Sequence, residues 1–238
     1  MAPSEPSPPI RDSYRRLATA QKTSVGVSLY SRWVNRPMGR LVASVAHRAG
    51  LTPNAVTALS GLLSLAGVVL VAVPAPSPLT GIAAGLLLIL GFGFDSADGQ
   101  LARLRDQSSL RGEWLDHLVD SAKMVLVHTS VLIAALRFYG TPIWWIGVPL
   151  TFLLVAVVQF SGVLITQFLL ARRDAGGGTR QPSTLRSVAL LPADYGVLAT
   201  SFLLSGVPAG FVPVYSALAA LNAVITVALI INWWRRLG

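Results

Sequence analysis

Four of the five aspartates in the stretch 92–123, FGFDSADGQLARLRDQSSLRGEWLDHLVDSAK, are where this chain could do chemistry. Asp95 and Asp98 are three residues apart, and Asp116 and Asp120 are four apart. On α-helices those spacings put side chains on one face. Asp95, Asp98, Gly99 and Ala102 then share one stripe, and Gly112, Asp116 and Asp120 share another. The connection between the stripes is short, so the two helices are expected to be antiparallel neighbours with their acids facing each other. Four converging carboxylates repel one another unless some are protonated or cations sit among them. An all-oxygen ligand set without His or Cys favours a hard ion such as Mg²⁺ or Mn²⁺. Such ions share their coordination with substrate phosphates, which implies a phosphate-bearing ligand.

The residues around the acids admit two readings. Gly99 and Ala102 leave room for a ligand to approach the backbone, and Arg103 offers a planar fork suited to phosphate. Equally, small residues let membrane helices pack, and an arginine there obeys the positive-inside rule. Lys123, three residues after Asp120, shares the acidic face one turn deeper. It serves either as a counter-ion for the acids or as a contact for a negatively charged acceptor. Arg186 stands where a later apolar span begins, and Arg172, Arg173 and Arg180 precede it. Asp194 lies near the same span and would either pair with Arg186 or shape an acceptor pocket. His117 and His128 have no partner at metal-ligand spacing, and His128 reads as a buried polar contact.

The elements that must position these groups are apolar. Of 238 residues 53% are hydrophobic and 12% charged, against about 25% charged in soluble domains. An integral membrane protein follows. Cysteine is absent, which excludes disulfides, thiolate metal sites and a cysteine nucleophile. The net charge of +9 is not gathered into a basic stripe interleaved with aromatics, so nucleic acid is not the implied partner. Six segments are long enough to span a bilayer, near 55–74, 79–101, 115–137, 142–170, 188–206 and 210–233. Turn-forming PAPSP, YGTP, AGGGT and GVPAG separate them. Lys and Arg alternate from one connection to the next, which places both termini and the acidic stretch on the cytoplasmic side. Ahead of the spans, residues 1–23 read as a disordered or weakly ordered tail. Residues 24–50 alternate apolar and basic positions as an amphipathic helix in the headgroup region does. The expected organisation is therefore all-α: tail, juxtamembrane helix, and a six-helix transmembrane catalytic unit over 51–238. Trp233 and Trp234 before Arg235 and Arg236 read as an interfacial anchor.

Written as a pattern, the acidic stretch is D-x2-D-G-x2-A-R-x8-G-x3-D-x3-D, from Asp95 to Asp120. It resembles the signature of the CDP-alcohol phosphatidyltransferase family at every defined position. The segment GLTPNAVTALSG at 50–61 is similar to the family's start of the first span. The resemblance implies a CDP-linked donor, often CDP-diacylglycerol, with its pyrophosphate on two Mg²⁺ or Mn²⁺ ions in the membrane. It implies that Asp95 and Asp116 bridge the ions, with Asp98 and Asp120 completing one site each. Asp120 would also be the general base toward an acceptor hydroxyl, and CMP would leave. Gly99, Ala102, Arg103, Ser109 and Gly112, with Thr52, Pro53 and Asn54, would hold the donor. Lys123, Arg173 and Arg186 are the candidates for the acceptor. A homodimer is implied by the same resemblance. Members that use phosphorylated inositol or glycerol carry a basic residue directly after the fourth Asp, where this chain has Ser121. The resemblance therefore speaks to the reaction class and leaves the acceptor open.

Two other readings remain at this level. The same chemistry can use a soluble-headed donor such as CDP-inositol with a polyol phosphate as acceptor. Intramembrane acids can also form an ion or proton path in a transporter, although these acids cluster at one membrane face.

Overall fold

The computed structural model describes residues 9–19, 28–173 and 189–238, and what it describes is helical. A short helix α1 (Ile10–Thr19) precedes α2 (Arg36–Arg48), which a π-helical turn at Ser31–Asn35 leads into. The long helices are α3 (Pro53–Ala72), α4 (Pro78–Leu104), α5 (Leu110–Ala134) and α6 (Gly147–Arg173). A short α7 (Tyr195–Ser201) and a long α8 (Pro208–Leu237) complete the chain.

The helices start where the sequence supplies caps. Thr52 caps α3 by accepting from the Ala55 amide, and Pro53 takes the first helical position. Ser77 and Thr80 form a capping box at α4, again with proline next. Ser109 accepts from the Gly112 amide and opens α5. A π-helical turn at Ala135–Tyr139 extends α5 to Gly140, which closes it at φ +61°, a backbone state that favours glycine.

Among the described residues five helical segments are long and apolar enough to cross a membrane: Pro53–Ala72, Pro78–Leu104, Leu110–Tyr139, Ile143–Arg173 and Pro208–Leu237. The span expected near 188–206 differs. Its described part is a 3₁₀ turn at Leu191–Ala193, then α7 and a second 3₁₀ turn at Phe202–Leu204. Apolar composition there comes with less helix than the roughly 20 residues a bilayer requires. Where a tail was expected over 1–23, Ile10–Thr19 form a helix whose Leu17 is buried against Ala43, Ala46, Val56, Ala97 and Leu101. Tertiary contact supplies that order: Arg40 lies over the Tyr14 ring at 4.9 Å. The Pro/Ser-rich composition that suggested a tail belongs to the residues before Ile10.

The juxtamembrane helix turns Gly39, Ala43, Ser44 and Ala46 inward and leaves Trp33, Leu41 and Val45 exposed. It seats closely on α4, since a Cβ at Gly39 would fall 2.6 Å from Ser96 Oγ and 2.7 Å from Gln100 Nε2. Arg105, just past α4, clamps the far end of α2. It donates to His47 Nδ1 (2.9 Å), His47 O (2.9 Å) and Leu51 O (2.6 Å). The larger core lies between α3, α4, α5, α6, α7 and α8, where the rings of Phe152, Phe202, Phe211 and Tyr215 pack at centroid separations of 5.2–5.4 Å.

Helix α3 packs along both α4 and α5, whereas α4 and α5 make few close backbone approaches of their own. The two acidic helices face each other across a cleft beside α3, close enough for Lys123 of α5 to reach Asp95 of α4. That cleft holds the site.

Candidate active site

Helix α4 continues without a break through Leu104, so Asp95, Asp98, Gly99 and Ala102 do lie along one stripe. Helix α5 begins at Leu110 and carries Gly112, Asp116, Asp120 and Lys123 in the same manner. The stripes meet across the cleft. Asp98 is within electrostatic reach of Asp116 and Asp95, and Asp120 within reach of Asp95 and Asp116.

Each acid has a distinct setting. Asp98 is 6% exposed and accepts from Thr57 Oγ1 at 2.6 Å and from the Gly99 amide at 2.5 Å. Lys123, also 6% exposed, donates to Asp95 and, at 3.1 Å, to Asp120. Burying that ammonium is tolerable only because two carboxylates surround it. Asp116, His117 and Asp120 each offer a ligand atom, and these atoms all lie within 4.8 Å of one another. The arrangement fits divalent cations: acidic oxygens converge from two helices, and a lysine already supplies positive charge between two of them.

Beside the acids is a cavity of about 520 Å³. Gly99, Ala102 and Arg103 from α4 line it with Ser109, Gly112 and Asp116 from the start of α5. Pro53 and Asn54 of α3 close it, and Asp98 forms part of its wall. Close approach requires the glycine at 112, where a Cβ would fall 3.2 Å from both Asn54 Oδ1 and Ser109 Oγ. Arg103 Nε is buried with no hydrogen bond among the described residues. Such a donor calls for an acceptor, and a phosphate oxygen is the strongest partner for a guanidinium.

Most of the residues singled out by sequence are thus brought to one cleft. Thr52 is the exception on the donor side: it caps α3 and does not line the cavity. Arg173 sits exposed at the end of α6, with its guanidinium 3.5 Å from the Leu237 carbonyl, and it does not line that cavity. Arg186 lies outside the described residues. Asp194 caps α7, accepting from the Gly196 amide (2.7 Å), Ser31 Oγ (2.6 Å) and Ser28 Oγ. His128 is buried, with Nδ1 2.7 Å from the Tyr215 hydroxyl.

Sequence reasoning missed two contributors. Thr57 follows Pro53 by one turn, and only the packing of α3 on α4 shows that it reaches Asp98. His117 seemed to lack a metal-ligand partner, yet it stands beside Asp116 and Asp120; the helical spacing of 117 and 120 was the available signal.

A sequence model described as CDP-alcohol phosphatidyltransferase matches residues 50–234, a stretch that holds every motif residue named above. No curated protein sequence matches significantly. The chain is similar in fold to phosphatidylinositol phosphate synthase of Mycobacterium tuberculosis. The crystal structure in complex with manganese and citrate aligns at 22% identity and a TM-score of 0.57, over 81% of this chain and 87% of that one. The structure with CDP-DAG bound aligns at 21% identity and a TM-score of 0.54, over 84% and 94%.

Proposed function

Because the chain belongs to the CDP-alcohol phosphatidyltransferase family, we propose that it transfers a phosphatidyl group from CDP-diacylglycerol to an acceptor hydroxyl, releasing CMP, in phospholipid synthesis. The observation that carries this reading is the cleft itself. Four acids converge beside a cavity whose walls are Gly99, Ala102, Arg103, Ser109, Gly112 and Asn54. The CDP-DAG found in the similar structure supports the choice of donor.

Asp95, Asp98, Asp116 and Asp120 would together hold the divalent ions, Mg²⁺ or Mn²⁺, in this cleft. Bound there, the ions supply charge stabilisation for the transferring phosphoryl group and the leaving CMP. The protein's own groups do the rest. Thr57 holds Asp98 in place, and Arg103 receives the pyrophosphate. The narrow wall at Gly112 and Asn54 fits the flat nucleotide. Asp120 takes the proton from the acceptor hydroxyl as that oxygen attacks phosphorus. The arginine-rich connections support a cytoplasmic side for this cleft.

The test incubates the purified full chain with Mg²⁺, CDP-diacylglycerol and a panel of alcohols and follows CMP. Expected are metal-dependent CMP release and its loss in Asp120→Asn, with that variant still folded. A fully active Asp120→Asn enzyme would refute the base assignment. Release from water-soluble CDP-alcohols alone would move the reading to a soluble-headed donor.

A further inference from the structure

Tyr195, the first residue of α7, comes close to the acidic cluster from a helix that carries none of the motif. Among the charged groups around its hydroxyl, Lys123 acts most strongly, followed by Asp95 and Asp120. The ring is held in place. It packs on Phe92 of α4, a residue about one helical turn before Asp95, at a centroid separation of 5.1 Å. Asp194 caps α7 immediately beside it and is itself fixed by Ser28, Ser31 and the Gly196 amide. Tyr195 also lines a second cavity, of about 280 Å³, together with Asp120, His117 and His128.

The phenol ends without a partner. Its hydroxyl is buried and makes no hydrogen bond among the described residues. Ser64 Oγ of α3 is in the same condition, and it stands near enough to act on the phenol, short of hydrogen-bond geometry. Gly91 gives Ser64 that place, since a Cβ there would collide with Ser64 Oγ. Two buried hydroxyls left unbonded side by side are a cost that native cores rarely carry. The group next to them can meet it. An ammonium has three protons to donate, and Asp95 and Asp120 take two of the positions around Lys123 Nζ.

We propose that Tyr195 is a positioning residue for the divalent ions: when Asp95 and Asp120 turn toward the cations, its hydroxyl accepts from Lys123 Nζ and donates to Ser64 Oγ. The inference rests on the metal-dependent phosphatidyl-transfer reading and deepens it. Divalent ions and the ammonium compete, because both are positive and both draw on the same carboxylate oxygens. A lysine unable to leave those oxygens would weaken the ions' hold. A lysine that left them for no acceptor would be a buried, unpaired charge. The phenol answers both needs. It takes a bond from the ammonium and still has a proton to give to Ser64. Lys123 stays protonated throughout, and no covalent bond changes.

The experiment measures Mn²⁺ binding to the purified full chain in detergent micelles, from the paramagnetic resonance of the unbound ion. Thermal transitions are recorded in parallel. Tyr195→Phe keeps the ring and removes the hydroxyl. Expected is an apparent Mn²⁺ affinity about tenfold weaker than the parent's, the loss of one hydrogen bond to a charged group. In chelator Tyr195→Phe should melt no lower than the parent, because the hydroxyl it removes is unbonded there. In a Lys123→Met background the same substitution should change the affinity by less than about twofold, since no ammonium is left to hold. Where Lys123→Met does not fold, the Tyr195→Phe affinity and its transition in chelator decide. Equal affinity in Tyr195→Phe, an equal loss in both backgrounds, or a lower transition in chelator overturns the inference. Those results leave metal binding by the parent, and the phosphatidyl-transfer reading, standing. A parent protein that binds no Mn²⁺ sinks that reading and this inference together.

Discussion

Thr57 Oγ1 donates to Asp98 Oδ2 at 2.6 Å, joining the first long helix to a motif carboxylate on the second. The bond is buried, and it fixes from α3 the second oxygen of an acid whose first accepts from the Gly99 amide of its own helix. Groups that orient a ligand from behind typically contribute 10–100-fold to metal affinity. Thr57→Val, which keeps the shape and removes the hydroxyl, should therefore weaken the apparent Mg²⁺ affinity by about tenfold or more. Thr57→Ser should recover most of it. Metal titrations of CMP release and of the thermal transition would read both effects, and equal affinity in Thr57→Val would remove Thr57 from the site.

Lys123 holds Asp95 and Asp120 together from a buried position. Removing one partner of a buried pair costs about 3–5 kcal/mol, and the two acids, 18% and 23% exposed, put the loss at the low end of that range. Lys123→Met should lower the thermal transition in chelator. Mg²⁺ or Mn²⁺ should narrow the gap to the parent protein, because a ligand that binds only the folded state stabilises it. An undiminished gap at saturating metal would show that Lys123 acts independently of the cation site.

The clamp between α2 and α4 should be sensitive to acid. His47 is pushed below the usual imidazole range, first by burial and then by the neighbouring Arg105 and Arg16 cations. Its neutral Nδ1 accepts from Arg105 Nε. A depressed folded pKa means that the stabilisation is fully present above the unfolded imidazole value and fades as pH falls below it. Between pH 7.5 and 5 the parent protein should lose thermal stability that His47→Asn does not lose over the same interval. Parallel pH profiles would contradict the assignment.

Gly39 permits the close seat of α2 on α4, with Ser96 Oγ only 2.6 Å from where a Cβ would stand. Overpacking a tight contact costs about 1–3 kcal/mol, so Gly39→Val should destabilise the protein by that order in a denaturation series. Gly50→Ala, at a position with open space but φ +73°, should cost less than Gly39→Val if packing and not backbone strain dominates. The reverse order would place the strain in the loop.

The amino-acid sequence by itself determined the two acidic stripes and most of the apolar lengths: of six expected spans, five are helices long enough to cross a membrane among the described residues. Each of these depends on spacing within one helix, which covalent geometry sets locally. It also held the pattern that marks the family. Only the tertiary structure decided that α3 packs on both α4 and α5, that Thr57 reaches Asp98, and that His128 faces a cavity beside Asp120. Apolar helices of similar composition pack against one another with little preference written into any one of them. Which faces meet, and which polar atoms they leave unbonded, is therefore settled only when all of them pack together.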